Sequence, residues 1–171
     1  PPTYQEPVRN KSLQFVQDFG VAVDIGANVG LWSRDLAVKF ARVIAIEPVV
    51  EFQECLQRNV LMENIEVWPM ALGTEDTTID MIITEGNTGH SHINKDTVGI
   101  GKVEMKRLDS LWFDRIDYMK IDCEGYEMQI LKGGENTTNP DSLFTNNAND
   151  LSIPYLILVD NFQLTKDIAD L

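Results

Sequence analysis

Hydrophobic residues run through this chain in two rhythms. Short stretches at 21–25, 43–46, 65–72, 118–122 and 155–159 are largely apolar and read as strands buried on both faces. Between them, apolar positions recur every three or four residues, which is helical spacing. Leu13, Val16 and Phe19 mark a helix over 10–19, with Asn10 as its cap and Gly20 as its stop. Trp32, Leu36 and Phe40 mark a second over 31–40, and Phe52, Cys55, Leu56 and Val60 a third. Met128, Ile130 and Leu131 mark a fourth, ended by Gly133 and Gly134. Strand, helix, strand, helix, strand is the order of right-handed βαβ units. The pattern therefore predicts an α/β fold with a doubly wound, mostly parallel sheet and flanking helices.

The rhythm changes after Gly73. Ile79, Met81 and Ile83 fall on alternate positions, as do Val103 and Met105, which predicts two half-buried strands bracketing 85–101. That segment holds His90, His92 and several glycines, and its length suits a lid or binding loop inserted in a β-hairpin. A short helix over 108–113 is expected to start at Asp109, and 136–152 reads as a long polar loop. With no internal repeat, the chain reads as one domain over 1–171: an arm and helix to 20, a core over 21–135, the polar loop, then a last strand and tail from 153.

Candidate chemistry collects at the ends of the expected strands. Asp24, Gly26, Asn28 and Gly30 form a strand–Asp-x-Gly-x-Asn-x-Gly–helix turn, whose two glycines allow a sharp bend and close passage of a ligand. A dinucleotide fingerprint wants glycine where Asn28 and Leu31 stand, which disfavours a nicotinamide-dependent oxidoreductase. An acid two residues before the first glycine suits instead a nucleoside carrying an ammonium, as S-adenosylmethionine does. Glu47 ends the next strand, where a carboxylate accepts hydrogen bonds from ribose hydroxyls. Asp122, Glu124 and Glu127 cluster where the fourth core strand passes into its helix. Glu127 suits the helix macrodipole, whereas Asp122 and Glu124 are candidates to take a proton from a hydroxyl as it reacts. His90, beside Gly89, is a further candidate base. Asp160 and Asn161, at the end of the last strand, would complete an all-oxygen Mg²⁺ site with Asp122, although a strand-ending turn explains them equally well.

Charge and cysteine usage narrow the partners. At 171 residues and a formal net charge of −13 the chain carries no basic stripe, which argues against nucleic acid. No apolar run approaches a membrane span, and the N-terminal residues lack a signal pattern, so a cytoplasmic protein is expected. Beginning at Pro1 rather than Met, the chain reads as trimmed or processed. Cys55 and Cys123 stand far apart, in neither disulfide-framework nor zinc-type spacing.

Taken in order, VDIGANVGLWS, AIEP, the Gly-Asn-Thr-Gly loop, RLDSL and MKIDCEGYEMQILKGGE resemble the FkbM-type methyltransferases, a branch of the class I S-adenosylmethionine-dependent enzymes. The resemblance runs from about residue 21 to residue 135. It implies a Rossmann-like sheet, S-adenosylmethionine as cofactor, and methyl transfer mostly to hydroxyl oxygens of sugars, glycolipids or other small metabolites. Carried over by position, Asp24, Gly26, Asn28 and Gly30 would hold the methionine part, Glu47 the ribose, and Ala71 would lie near the adenine. Asp122 and Glu124 would face methyl transfer. Beyond Gly134 the likeness fades, and the antiparallel strands that finish a class I sheet look reduced. That leaves a sheet edge where a homodimer would pair, and leaves a catalytically silent binding domain as the non-enzymatic alternative.

Overall fold

The computed structural model describes residues 4–82, 92–93, 101–138 and 157–159. Among these residues, one sheet runs in the order β3-β2-β1-β8-β9 and a second in the order β4-β7-β5-β6. The first sheet is parallel throughout. β1 (Val21–Ile25) lies between β2 (Arg42–Ile46) and β8 (Tyr118–Ile121), with β3 (Ile65–Trp68) beyond β2 and β9 (Ile157–Val159) beyond β8.

All five residues of β1 are buried, because helices cover both faces. Successive side chains point to opposite faces, so the strand feeds two cores. Val21, Val23 and Ile25 join Ile44, Ile46, Met119 and Ile121 on one side. Ala22 joins Trp32, Leu36 and Tyr118 on the other, under α2 (Leu31–Ala37). The expected doubly wound α/β sheet is the one found. α3 (Val50–Asn59) is the crossover from β2 to β3, and α4 (Glu127–Lys132) packs behind β4.

Three boundaries differ from the sequence reading. The first helix, α1, spans Glu6–Leu13, with a proline in its first turn, and Asn10 is an exposed interior residue rather than a cap. Its buried face is mostly polar: beside Leu13, Arg9 pairs with Asp35 at 2.8 Å, and the Ser12 hydroxyl shares a 2.9 Å hydrogen bond with Tyr118. The expected single strand over 65–72 is two. Pro69 has no N–H to donate, so the ladder on β2 ends at Trp68, and the chain re-forms as β4 (Ala71–Gly73) in the second sheet, parallel to β7. At 108–113 there is only a 3-10 turn, Leu108–Ser110.

β5 (Thr77–Ile82) and β7 (Gly101–Arg107) pair antiparallel with Ile79 opposite Val103, as their alternation predicts, and β6 (His92–Ile93) adds to β5. The start of the expected polar loop is instead a single helical turn, α5 (Glu135–Thr138). His90, in the expected lid, and Asp160 and Asn161 fall outside the described residues. No described helix is long and apolar enough to cross a membrane.

Candidate active site

β1 sits where the chain reverses its direction of travel across the sheet, so a crevice opens beyond its carboxyl end. A cavity of about 460 Å³ fills that crevice, a size ordinary for small-molecule sites. Gly26 and Asn28 reach its wall from the turn after β1, Glu47 from the end of β2, Ala71 from the start of β4, and Asp122 and Glu124 from the turn after β8. All six are residues that the sequence singles out. Asp24 and Gly30 stand behind the wall, and His90 lies outside the described residues. Among the described residues no group of three His, Cys, Asp or Glu side chains is gathered as a metal site.

The turn after β1 is built from left-handed backbone. Gly26, Asn28 and Gly30 have φ of 74°, 51° and 82°. Asparagine tolerates this conformation, and here its Oδ1 accepts the Val29 N–H at 2.7 Å. The Gly26 and Ala27 N–H groups both donate to the Ile46 carbonyl, at 3.0 and 3.2 Å. A Cβ on Gly26 would fall on the carbonyl oxygen of Asp122. The close approach that demands glycine is thus between the exits of β1 and β8, not between backbone and ligand.

Glu47 holds this turn from the next strand. Its Oε2 accepts the Asn28 N–H at 2.8 Å and its Oε1 the Val49 N–H at 2.9 Å. The side chain is almost wholly buried, and burial pushes its pKa up to about 7 against the lowering effect of those two N–H groups and of Lys120. A carboxylate with each oxygen already accepting one hydrogen bond retains a lone pair on each, so hydroxyl donors in the cavity still find acceptors.

The strand register explains the charges at the floor. Asp24 lies directly opposite Lys120 on the neighbouring strand, so both side chains emerge on the α2 face. Asp24 is fully buried; its Oδ2 accepts the Ser33 hydroxyl at 2.6 Å, and its Oδ1 lies 3.0 Å from the Lys120 ammonium. The contact at Oδ1 is ionic and is not a well-directed hydrogen bond. Lys120 donates to the Gly26 carbonyl at 3.0 Å and stands 3.6 Å from Asp122 Oδ2. Burial alone would discharge the lysine, but Asp24 and then Asp122 outweigh it and raise its pKa. The expectation that Asp24 faces the ligand therefore meets a carboxylate turned inward, with a lysine between it and the cavity.

The turn after β8 uses a second inward carboxylate. Glu124 and Gly125 are both left-handed, with φ of 49° and 92°. Glu127, almost completely buried, accepts the Cys123 N–H at 2.9 Å and the Gly125 N–H at 3.1 Å on Oε1. The sequence suggests a macrodipole role for Glu127; the structure gives it the more specific work of shaping the turn. Cys123 lies in the same turn, and burial pushes its thiol pKa well up, which makes it a poor nucleophile.

A parallel, helix-flanked sheet with a ligand-sized cavity at its carboxyl edge defines the Rossmann-like class. Within that class the chain belongs to the FkbM methyltransferase family: the family model described as Methyltransferase FkbM domain matches residues 24–140. Methyltransferase sdnD of Sordaria araneosa is 26% identical over 152 residues, covering 65% of this chain and 59% of the relative. The crystal structure of precorrin 8W decarboxylase from Methanobacterium thermoautotrophicum shares the fold at 20% identity and a TM-score of 0.50, over 99% of this chain and 70% of the other. Methyltransferase FkbM of Methylobacillus flagellatus aligns at 22% identity and a TM-score of 0.47, over 68% of this chain and 30% of that one. The chain thus spans 59% of its curated relative's length.

Proposed function

We propose that this chain binds S-adenosylmethionine in the cleft and directs its methyl group to a hydroxyl oxygen of a sugar, glycolipid or other small metabolite, as a single cytoplasmic domain. The observation that carries this reading is the convergence of four separate segments, three from the carboxyl ends of strands in the first sheet and one from the start of β4, on one cavity of about 460 Å³. A nucleoside with an amino-acid tail asks for a hydroxyl acceptor, an apolar wall and paired charges. Glu47 meets the first need, Phe52, Ala71 and Leu72 the second, and Lys120 with Asp122 the third. Membership of the FkbM family supports methyl transfer as the reaction class.

When bound, such a cofactor supplies a methyl carbon activated by a positively charged sulfur. The chain's own contribution is alignment, worth up to ~7–11 kcal/mol of a barrier, together with removal of the acceptor's proton. With Asp122 engaged by the charged tail, Glu124, which lines the cavity two residues on, would receive that proton on one carboxylate oxygen. A water-excluding wall on the second sheet comes from Met81 and Leu72.

The test is calorimetric and thermal titration with S-adenosylhomocysteine and, separately, with NAD. S-adenosylhomocysteine at a hundredfold excess over its Kd should add ~2.7 kcal/mol of stability, and NAD none. Stabilisation by NAD alone, or by neither, would overturn the reading. Incubation with S-adenosylmethionine and a panel of hydroxyl acceptors should then release S-adenosylhomocysteine, and Glu124→Gln should suppress that release.

A further inference from the structure

We propose that Lys120 is the carboxylate-binding residue of the cleft: its ammonium takes the α-carboxylate of the ligand's amino-acid tail while Asp122 takes the α-ammonium. This rests on reading the cleft as the site of a sulfonium nucleoside, and it assigns that tail to residues other than Asp24.

Four observations carry it. Among the described residues that line the cavity, Lys120 is the only Lys or Arg, alongside the acids Glu47, Asp122 and Glu124. A carboxylate entering the cleft has one positive side chain to meet. Second, an ammonium has three protons to donate. One goes to the Gly26 carbonyl at 3.0 Å and another faces Asp24 at 3.0 Å. Asp122 Oδ2, at 3.6 Å, is beyond hydrogen-bond length and the Trp32 ring centroid lies 5.9 Å off, so among the described residues the third proton meets no hydrogen-bond acceptor and is open to an incoming one.

Third, Lys120 and Asp122 present opposite charges 3.6 Å apart on the wall of one cavity. An α-amino acid carries its two opposite charges on neighbouring groups, so this pair is its complement. Fourth, Asp24 is not among the lining residues, has no exposed surface, and is already engaged by Ser33 and Lys120. Asp24 is thereby a positioning residue. It fixes the ammonium at the cavity floor and, with Asp122, keeps it charged.

The experiment measures affinity, not turnover, for three nucleosides: S-adenosylhomocysteine, its decarboxylated analogue, and 5′-methylthioadenosine, which lacks the whole tail. The wild-type chain should bind S-adenosylhomocysteine roughly tenfold or more tightly than the decarboxylated analogue, as loss of a charge-assisted hydrogen bond implies. Lys120→Met should erase that margin to within about twofold while leaving 5′-methylthioadenosine affinity unchanged. Because Lys120→Met leaves Asp24 buried without its counter-ion, the Asp24→Asn/Lys120→Met double variant, which removes both charges, is measured in parallel. It should lose the same margin.

A wild type that binds both tailed nucleosides equally overturns the assignment of Lys120 but leaves the functional reading intact. A margin that survives in the variants, or a uniform loss for all three nucleosides, also overturns it, the latter because it marks a purely structural lysine. Failure of the wild type to bind any of the three sinks the functional reading itself.

Discussion

The two strand-to-helix turns that border the cavity use one device with different tolerances. After β1, Glu47 accepts the Asn28 and Val49 N–H groups; after β8, Glu127 accepts those of Cys123 and Gly125. Each turn carries left-handed residues, and each draws a carboxylate inward to satisfy backbone donors ahead of the helix that follows. The first is tightly packed at both of its glycines, with Gly26 against the Asp122 carbonyl and Gly30 within 2.7 Å, by its would-be Cβ, of Leu56. Around Gly125, by contrast, a Cβ would meet nothing within 4 Å. The contrast separates a turn locked by its neighbours from one whose shape rests on a single buried glutamate.

The sharpest way to break this comparison is Gly26→Ala. The new methyl meets backbone that cannot step aside, and the residue keeps a φ of 74° that disfavours a side chain. Overpacking and left-handed strain together should cost about 3–5 kcal/mol, seen as a lower midpoint in urea denaturation. A loss under 1 kcal/mol, or about what a surface change costs, would mean the two exits are not locked together.

Glu47 provides the next largest effect, through pH. Its pKa rises from the ordinary 4.5 to about 7 on folding, so between those values the folded chain holds a proton that the unfolded chain has released. The Glu47 contribution to stability is therefore greatest below pH 4.5, falls as pH rises, and levels off above 7, with a total change of about 3 kcal/mol. Glu47→Gln, which does not titrate, should flatten this part of a stability-versus-pH curve. An unaltered slope in the variant would assign the titration to another group.

Glu127 tests the second turn. Glu127→Ala takes the shared acceptor from the partly buried Cys123 and Gly125 N–H groups and empties a buried side-chain site, and should cost about 2–3 kcal/mol. Glu127→Gln keeps an oxygen for both donors and should cost less than about 1 kcal/mol, since Oε2 is buried with no hydrogen bond to lose. Equal losses in the two variants would show that charge, not acceptor geometry, holds the turn.

Which of these features the sequence reveals depends on whether apolar spacing reports them. The core strands and α2 through α4 are legible because their buried faces are hydrophobic, and the acids at strand ends are legible because parallel strands end at ligands. α1 is misplaced because polar Arg9 and Ser12 share its buried face with a single apolar residue, Leu13, so apolar spacing does not trace it. The break at Pro69 hides within an otherwise apolar stretch, so two strands in two sheets read as one. Lys120 escapes notice because a lysine inside an apolar strand looks like an interruption. Its signal is parity: Lys120 and Asp122 lie two apart and so face the same way, toward the acid opposite on β1. Glu127 is read as a helix-start charge because only the fold reveals two N–H groups converging on it.

The smallest expected effect completes the contrast. Gly125→Ala adds a methyl to open space, so its cost is that of a left-handed alanine alone, about 1–2 kcal/mol. The Glu127 hydrogen bond to residue 125 uses backbone and survives the change, which keeps the turn's shape. Denaturation of Gly26→Ala and Gly125→Ala side by side thus subtracts the shared φ cost and leaves the packing of the first turn as the difference. If Gly125→Ala proves as damaging as Gly26→Ala, positive φ alone accounts for both glycines, and the contact between the exits of β1 and β8 has no special weight.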